Sequence, residues 1–182
     1  MLGACVSPPR PLAALAVYDL GLPAAPNPTP TAVPLRRVEV FAAPWLNGLD
    51  MQYRYTDAGP NERRSFAENR WAATPAQLIE PVLARDLAVG AMSNCKLSVR
   101  LEEFTQLFDA QGASSVLISG SISLRGERLD QIYLHDSFDV RRPAESADPA
   151  AGVKALREAT DALSEQIRAW LTHALPEVCG TA

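Results

Sequence analysis

Apolar and polar residues alternate along most of this chain, and two stretches change from a period of two to one of three to four. Alternation marks strands with one buried face, and the longer period marks amphipathic helices. The first strand-like piece is Leu15–Leu20, LAVYDL. In RRVEVFAAP, Val38 and Val40 flank Glu39 and predict a strand over 37–42. Met51, Tyr53 and Tyr55 share one face of the next piece. Asp57-Ala58-Gly59-Pro60 supplies turn chemistry before a short strand over 64–69, so the two read as a hairpin with a long loop. Leu97, Val99 and Leu101 alternate until Glu102-Glu103-Phe104, where the phase slips and a bulge is expected. After a turn at Ala110-Gln111-Gly112, Val116, Ile118, Ile122 and Leu124 occupy one face and Ser119, Ser121 and Ser123 the other. Arg125-Gly126-Glu127-Arg128 reads as a hairpin loop, and Ile132, Leu134, Phe138 and Val140 form the partner strand.

Thr74-Pro75 opens the first helix, with Thr74 as cap and Pro75 at the first helical position. Leu78, Ile79, Val82, Leu83 and Leu87 make its apolar stripe, Pro81 predicts a kink, and Gly90 ends it. Asp148-Pro149 opens the second and longer helix, whose stripe runs through Val153, Leu156, Leu163, Ile167, Trp170 and Leu171. Lys154, Arg157, Glu158, Glu165 and Arg168 make its solvent side. The order is strands, helix, strands, helix. Two amphipathic helices need a sheet to cover, so the expected fold is α+β: a two-layer sandwich of a mainly antiparallel sheet covered on one face by two helices. Proline clusters near the N-terminus and in PAAPNPTPTAVP and keeps those stretches out of helix interiors and sheet centres. The expected organisation is a tether over 1–14, a single domain over 15–176 and a tail over 177–182.

Composition changes this picture little. A chain of 182 residues with 47% hydrophobic and 21% charged residues is ordinary for one globular domain. A net charge of −4 and scattered basic pairs give no reason to expect nucleic acid. No apolar run approaches the roughly 18 residues of a membrane-spanning helix. No glycine-rich phosphate loop and no GxSxG elbow occur. His135-Asp136 are strand neighbours pointing to opposite faces, which separates the one histidine–carboxylate pair. The expectation is a protein that is not an enzyme and carries no cofactor or metal. A hydrolase using a serine or Cys95 is the reading set against it.

Three cysteines are present, without CxxC spacing. Cys95 and Cys179 are either paired, as an exported compartment permits, or two separate thiols. Leu2-Gly3-Ala4-Cys5 fits a lipoprotein processing site: a branched apolar residue, two small ones, then the thiol to be acylated. A proline-rich tether follows directly. Only Met1 precedes it, so the leader such a site requires is expected upstream of this sequence.

Val17-Tyr18-Asp19-Leu20-Gly21, the block Met51-Gln52-Tyr53-Arg54-Tyr55-Thr56-Asp57, and Phe66-Ala67-Glu68-Asn69-Arg70-Trp71-Ala72-Ala73-Thr74-Pro75 resemble the ABC-type transport auxiliary lipoproteins. Phe104, Phe108-Asp109 and the pattern from Ala155-Leu156 to Trp170-Leu171 extend the resemblance over nearly the whole chain. It implies a non-enzymatic periplasmic lipoprotein of a Gram-negative bacterium, lipidated at Cys5. Such a protein accompanies an Mce-domain protein and its ABC permease and ATPase. Val6 rather than Asp after the cysteine agrees with tethering to the outer membrane. Trp45, in the loop Pro44-Trp45-Leu46-Asn47-Gly48, and Arg70-Trp71 are candidate partner contacts, Trp71 being set against plain core packing. A homo-oligomer is left open. The second reading is a carrier that itself binds a lipid or other hydrophobic ligand, which would need a sizeable apolar cavity.

Overall fold

One long strand organises the sheet. In the computed structural model, which describes residues 14–21, 31–57, 59, 61–126, 131–174 and 179, the strands are β1 (Ala16–Tyr18), β2 (Arg37–Ala42), β3 (Asp50–Tyr55), β4 (Arg64–Trp71), β5 (Lys96–Phe108), β6 (Ser114–Arg125) and β7 (Ile132–Pro143). The helices are α1 (Pro75–Asp86) and α2 (Pro149–Leu171). Cys5, Ala58, Pro60, residues 127–130, Pro176 and Gly180 lie outside the described residues.

β5 pairs antiparallel with β6 along its whole length. On its other edge it pairs parallel first with β2 and then, past its middle, with β3. The remaining order is β3–β4–β1 on one side and β6–β7 on the other. The sheet is therefore mixed. β5–β6, β6–β7 and β3–β4 are antiparallel as the local hairpins dictate, and β1–β4, β2–β5 and β3–β5 are parallel. Parallel neighbours require crossovers, so their pairing is set by tertiary packing and leaves no short-range mark. The register of β5 against β6 shifts between Leu101 and Glu103, which places the bulge where the alternation slips.

Both helices cover the same face. Leu97, Val99 and Leu101 of β5 and Ile118 and Leu124 of β6 meet Ile79 and Leu83 of α1 and Leu163, Ile167 and Leu171 of α2 in one fully buried layer. α1 also protects the outer edge of β2, where the Val40 N–H donates to Glu80 Oε2 at 2.9 Å. Its end differs from the expected one. The helix stops at Asp86, Leu87 is the C-cap and Ala88 takes φ +50°, so the chain turns before Gly90. Asp148 caps α2 by accepting from the Ala151 N–H at 3.0 Å. Buried Gln106 donates to Ser114 Oγ and to the Asp148 carbonyl, and Gly152 leaves room for it, because a Cβ there would fall 2.1 Å from Gln106 Oε1.

Two arginines assigned to solvent by helical spacing are fasteners instead. Arg168 donates to the Asp86 carbonyl at 2.6 Å, and Arg157 donates to the Leu20 carbonyl at 2.5 Å. Their heads find carbonyl oxygens where α1 ends and just past β1, as a long amphipathic side chain allows. Cys95 and Cys179 form a disulfide with a Cα–Cα separation of 5.1 Å, and both are buried. The structured body thus includes a residue of the segment expected to be a tail.

Candidate functional site

With both helices on one side, no helix among the described residues covers the other, open face of the sheet. The bulge at Glu102 shapes its centre. Pro44–Leu46 form a 3-10 turn directly after β2, and Trp45 stands there 51% exposed. Its indole N–H donates to the Glu102 carbonyl at 3.0 Å, so the bulge that turns this carbonyl outward also orients the ring. The Trp45 carbonyl accepts from Gln52 Nε2 at 2.6 Å, and the Arg63 guanidinium lies 5.6 Å from the ring centroid. Trp45 is thus exposed and held, a combination that reduces the entropy lost on meeting a partner.

Beside it, Glu103 Oε1 accepts from Arg54 at 2.9 Å and Arg63 at 2.8 Å, and Arg63 also donates to Gln52 Oε1 at 2.7 Å. β3, the segment before β4 and the bulged β5 are joined by this network. A concavity of about 390 Å³ opens here, lined by Ala43, Pro44, Trp45, Arg100, Glu102, Glu103 and Ser119. Loop position alone singles out Trp45. Gln52, Arg54, Arg63 and Glu103 escape a linear reading because the parallel β3–β5 pairing and the bulge bring them together.

The other expected site residues separate. Arg70 is exposed on β4. Trp71, its neighbour, is 2% exposed and packs on Phe104 with ring centroids 5.3 Å apart, so it is a core residue and presents no surface to a partner. Trp71→Ala is expected to cost about 3–5 kcal/mol of stability. Trp45→Ala should leave unfolding within about 1 kcal/mol of the parent. Urea denaturation of the two variants checks the contrast, and equal losses would contradict it.

Ser123 Oγ and His135 Nδ1 lie 3.0 Å apart on the open face. Asp136 pairs across from Ile122 and so faces the helices, away from the Ser123–His135 pair. Among the described residues no group of three or more His, Cys, Asp or Glu is placed to hold a metal ion. Near the β3–β4 turn, the hydrogen bond from Arg64 holds the exposed Glu62 carboxyl below its usual range and raises the Arg64 guanidinium. Solvent screens so exposed a pair. No helix of the described residues is long and apolar enough to cross a membrane.

Fold and site together define a two-layer α+β domain with one sheet face covered by helices and the other left open around a fixed tryptophan. The chain belongs to the ABC-type transport auxiliary lipoprotein component family, whose pattern it matches over residues 18–168. Its fold is similar to that of a crystal structure from Xanthomonas campestris of the DUF330 family, with a TM-score of 0.73 and 22% identity over 86% of this chain and 95% of that one. A second crystal structure, of an uncharacterized protein, has a TM-score of 0.66 and 19% identity over 87% of this chain and 99% of that one. At these identities the likeness is one of fold. A search of curated proteins finds no match.

Proposed function

We propose that this chain is the membrane-tethered auxiliary subunit of an Mce-type ABC lipid transport system. In this reading it is held at the periplasmic face of the outer membrane through acylated Cys5 and works through protein contacts rather than catalysis. The family match over residues 18–168 carries the reading. The open face adds the surface: Trp45 is exposed and oriented, as interface anchors are, and Arg70 is exposed on β4. The helix–sheet layer, where a carrier would hold its ligand, is filled by Leu97, Leu101, Ile118, Leu163 and Ile167, which favours docking over internal carriage. Anchoring follows from acylation, since each buried CH₂ contributes about 0.8 kcal/mol and two or more chains hold a protein stably.

The test is to express the chain behind a lipoprotein leader in a Gram-negative host. Palmitate incorporation and outer-membrane fractionation are expected, both lost in Cys5→Ala. Co-purification with the Mce-domain protein should weaken in Trp45→Ala by about 2 kcal/mol, the scale of a central aromatic anchor. An unacylated protein in the soluble fraction would overturn the tether. Co-purification unchanged by Trp45→Ala would overturn the docking face.

A further inference from the structure

Next to the Trp45 concavity, and sharing Arg100 with it, the open face carries a second feature. Along β5, Lys96, Ser98 and Arg100 point to this face, and their partners across β6 are Arg125, Ser123 and Ser121. Two neighbouring concavities, of about 220 and 260 Å³, share Ser98, Arg100 and Arg125 in their walls. The floor is therefore hydroxyls between basic side chains, with His135 beside Ser123. Among the described residues one carboxylate lines these concavities, Glu39, and its two oxygens are already taken by Arg37 at 2.5 Å and Lys96 at 3.3 Å. Arg100 makes no ion pair among the described residues.

This concentration of positive charge sits on a chain whose net charge is −4. Lys96 stands directly opposite Arg125 across the β5–β6 pair, so both basic stems rise from the same end of this face. Guanidinium groups and hydroxyls together match an oxyanion with several acceptor oxygens. At the rim Phe41 and Ile132 are each 49% exposed, apolar side chains placed where hydrocarbon next to the anion would rest.

We propose that this end of the open face is a binding site for a phosphate ester, centred on Arg100 and Arg125 over Ser98, Ser121 and Ser123. The ester is either the headgroup of an anionic lipid or a soluble phosphate. The site stands on the sheet geometry and does not depend on the tether or on the docking reading, so either can fail without the other.

The experiment uses the full chain in low salt. Glycerol phosphate is titrated by calorimetry, and co-sedimentation is measured with phosphatidylcholine vesicles with and without phosphatidylglycerol. Binding of glycerol phosphate alone supports the site with a soluble ligand. Binding to the phosphatidylglycerol vesicles alone, competed by glycerol phosphate, supports the lipid source. In either case Arg100→Glu should weaken binding at least about tenfold and Arg125→Gln by a smaller factor, because charge-assisted contacts are lost. Lys154→Glu makes the same charge change on an exposed position of α2 and should leave binding unaltered. If Arg100→Glu does not fold, Arg100→Gln carries the comparison. Binding to neither probe, binding insensitive to Arg100, or equal affinity for polyglutamate would overturn the proposal.

Discussion

Gly120→Val is expected to prevent folding, and Gly120→Ala to cost about 3 kcal/mol, beyond the usual range for a single added methyl group. Gly120 lies in the middle of β6 and pairs across from Leu101, at the bulge, and from Phe138 on β7. A Cβ built there falls 1.9 Å from the Arg100 carbonyl oxygen and 3.1 Å from Phe138 Cζ. The first obstacle is backbone, so no rotamer change relieves it. To admit even a methyl group, β5 must part from β6 where its register shifts, and β7 limits retreat on the other side. The same bulge presents the Glu102 carbonyl to the Trp45 indole, so the strain should reach the open face. Urea denaturation measures the first effect: the Gly120→Ala midpoint should fall with little change in slope. Tryptophan fluorescence in native buffer measures the second, through a change in the surroundings of Trp45. A variant with the parent's midpoint and spectrum would show that β5 and β6 do not approach as closely as this bulge requires.

What the linear sequence revealed about this region is uneven, for physical reasons. The slip at Glu102-Glu103-Phe104 is visible because a bulge shifts the period-two pattern by one residue. The serine row at 119, 121 and 123 is visible for the same reason, since a half-open sheet writes its solvent face into alternation. Gly120 carries no such sign: a lone glycine in a strand does not say which neighbouring carbonyl needs its space. The parallel pairing of β2 and β3 with the two halves of β5 is invisible, because no turn joins those strands. With that pairing hidden, the network of Gln52, Arg54, Arg63 and Glu103 is hidden too. Arg157 and Arg168 are misread by helical spacing because Arg covers apolar surface and still reaches a carbonyl. Trp71 and Trp45 look alike as tryptophans near strand ends. Burial separates them, since Trp71 faces Phe104 in the core while Trp45 follows a strand that ends on the open face.

Removing the Cys95–Cys179 bond is expected to lower stability by about 4–5 kcal/mol, the loop-closure value for a separation of 84 residues. That is a large share of the 5–15 kcal/mol typical of a domain. The closed loop runs from the start of β5 through β6, β7 and α2 to a residue beyond the helix. Its opening frees the C-terminal end of α2 from the strand it overlies. Local contacts reinforce the bond. Ser93 Oγ donates to the Pro34 carbonyl at 2.8 Å and accepts from the Cys95 N–H at 3.0 Å, and the Arg36 N–H donates to the Cys95 carbonyl at 2.8 Å. These bonds keep Cys95 in place when the sulfur bridge is absent, so the effect should fall mainly on the unfolded chain and on the end of α2. The double variant Cys95→Ala/Cys179→Ala should retain native circular dichroism yet unfold at a much lower urea concentration. The parent protein in excess dithiothreitol should unfold near the variant's midpoint. Hydrogen exchange should show faster opening at Thr172, His173 and Ala174 while β5 and β6 stay protected. A parent midpoint unmoved by reductant would contradict this account. A bond of this size also fits an envelope protein, because an oxidising compartment lets the chain keep it and a reducing one does not.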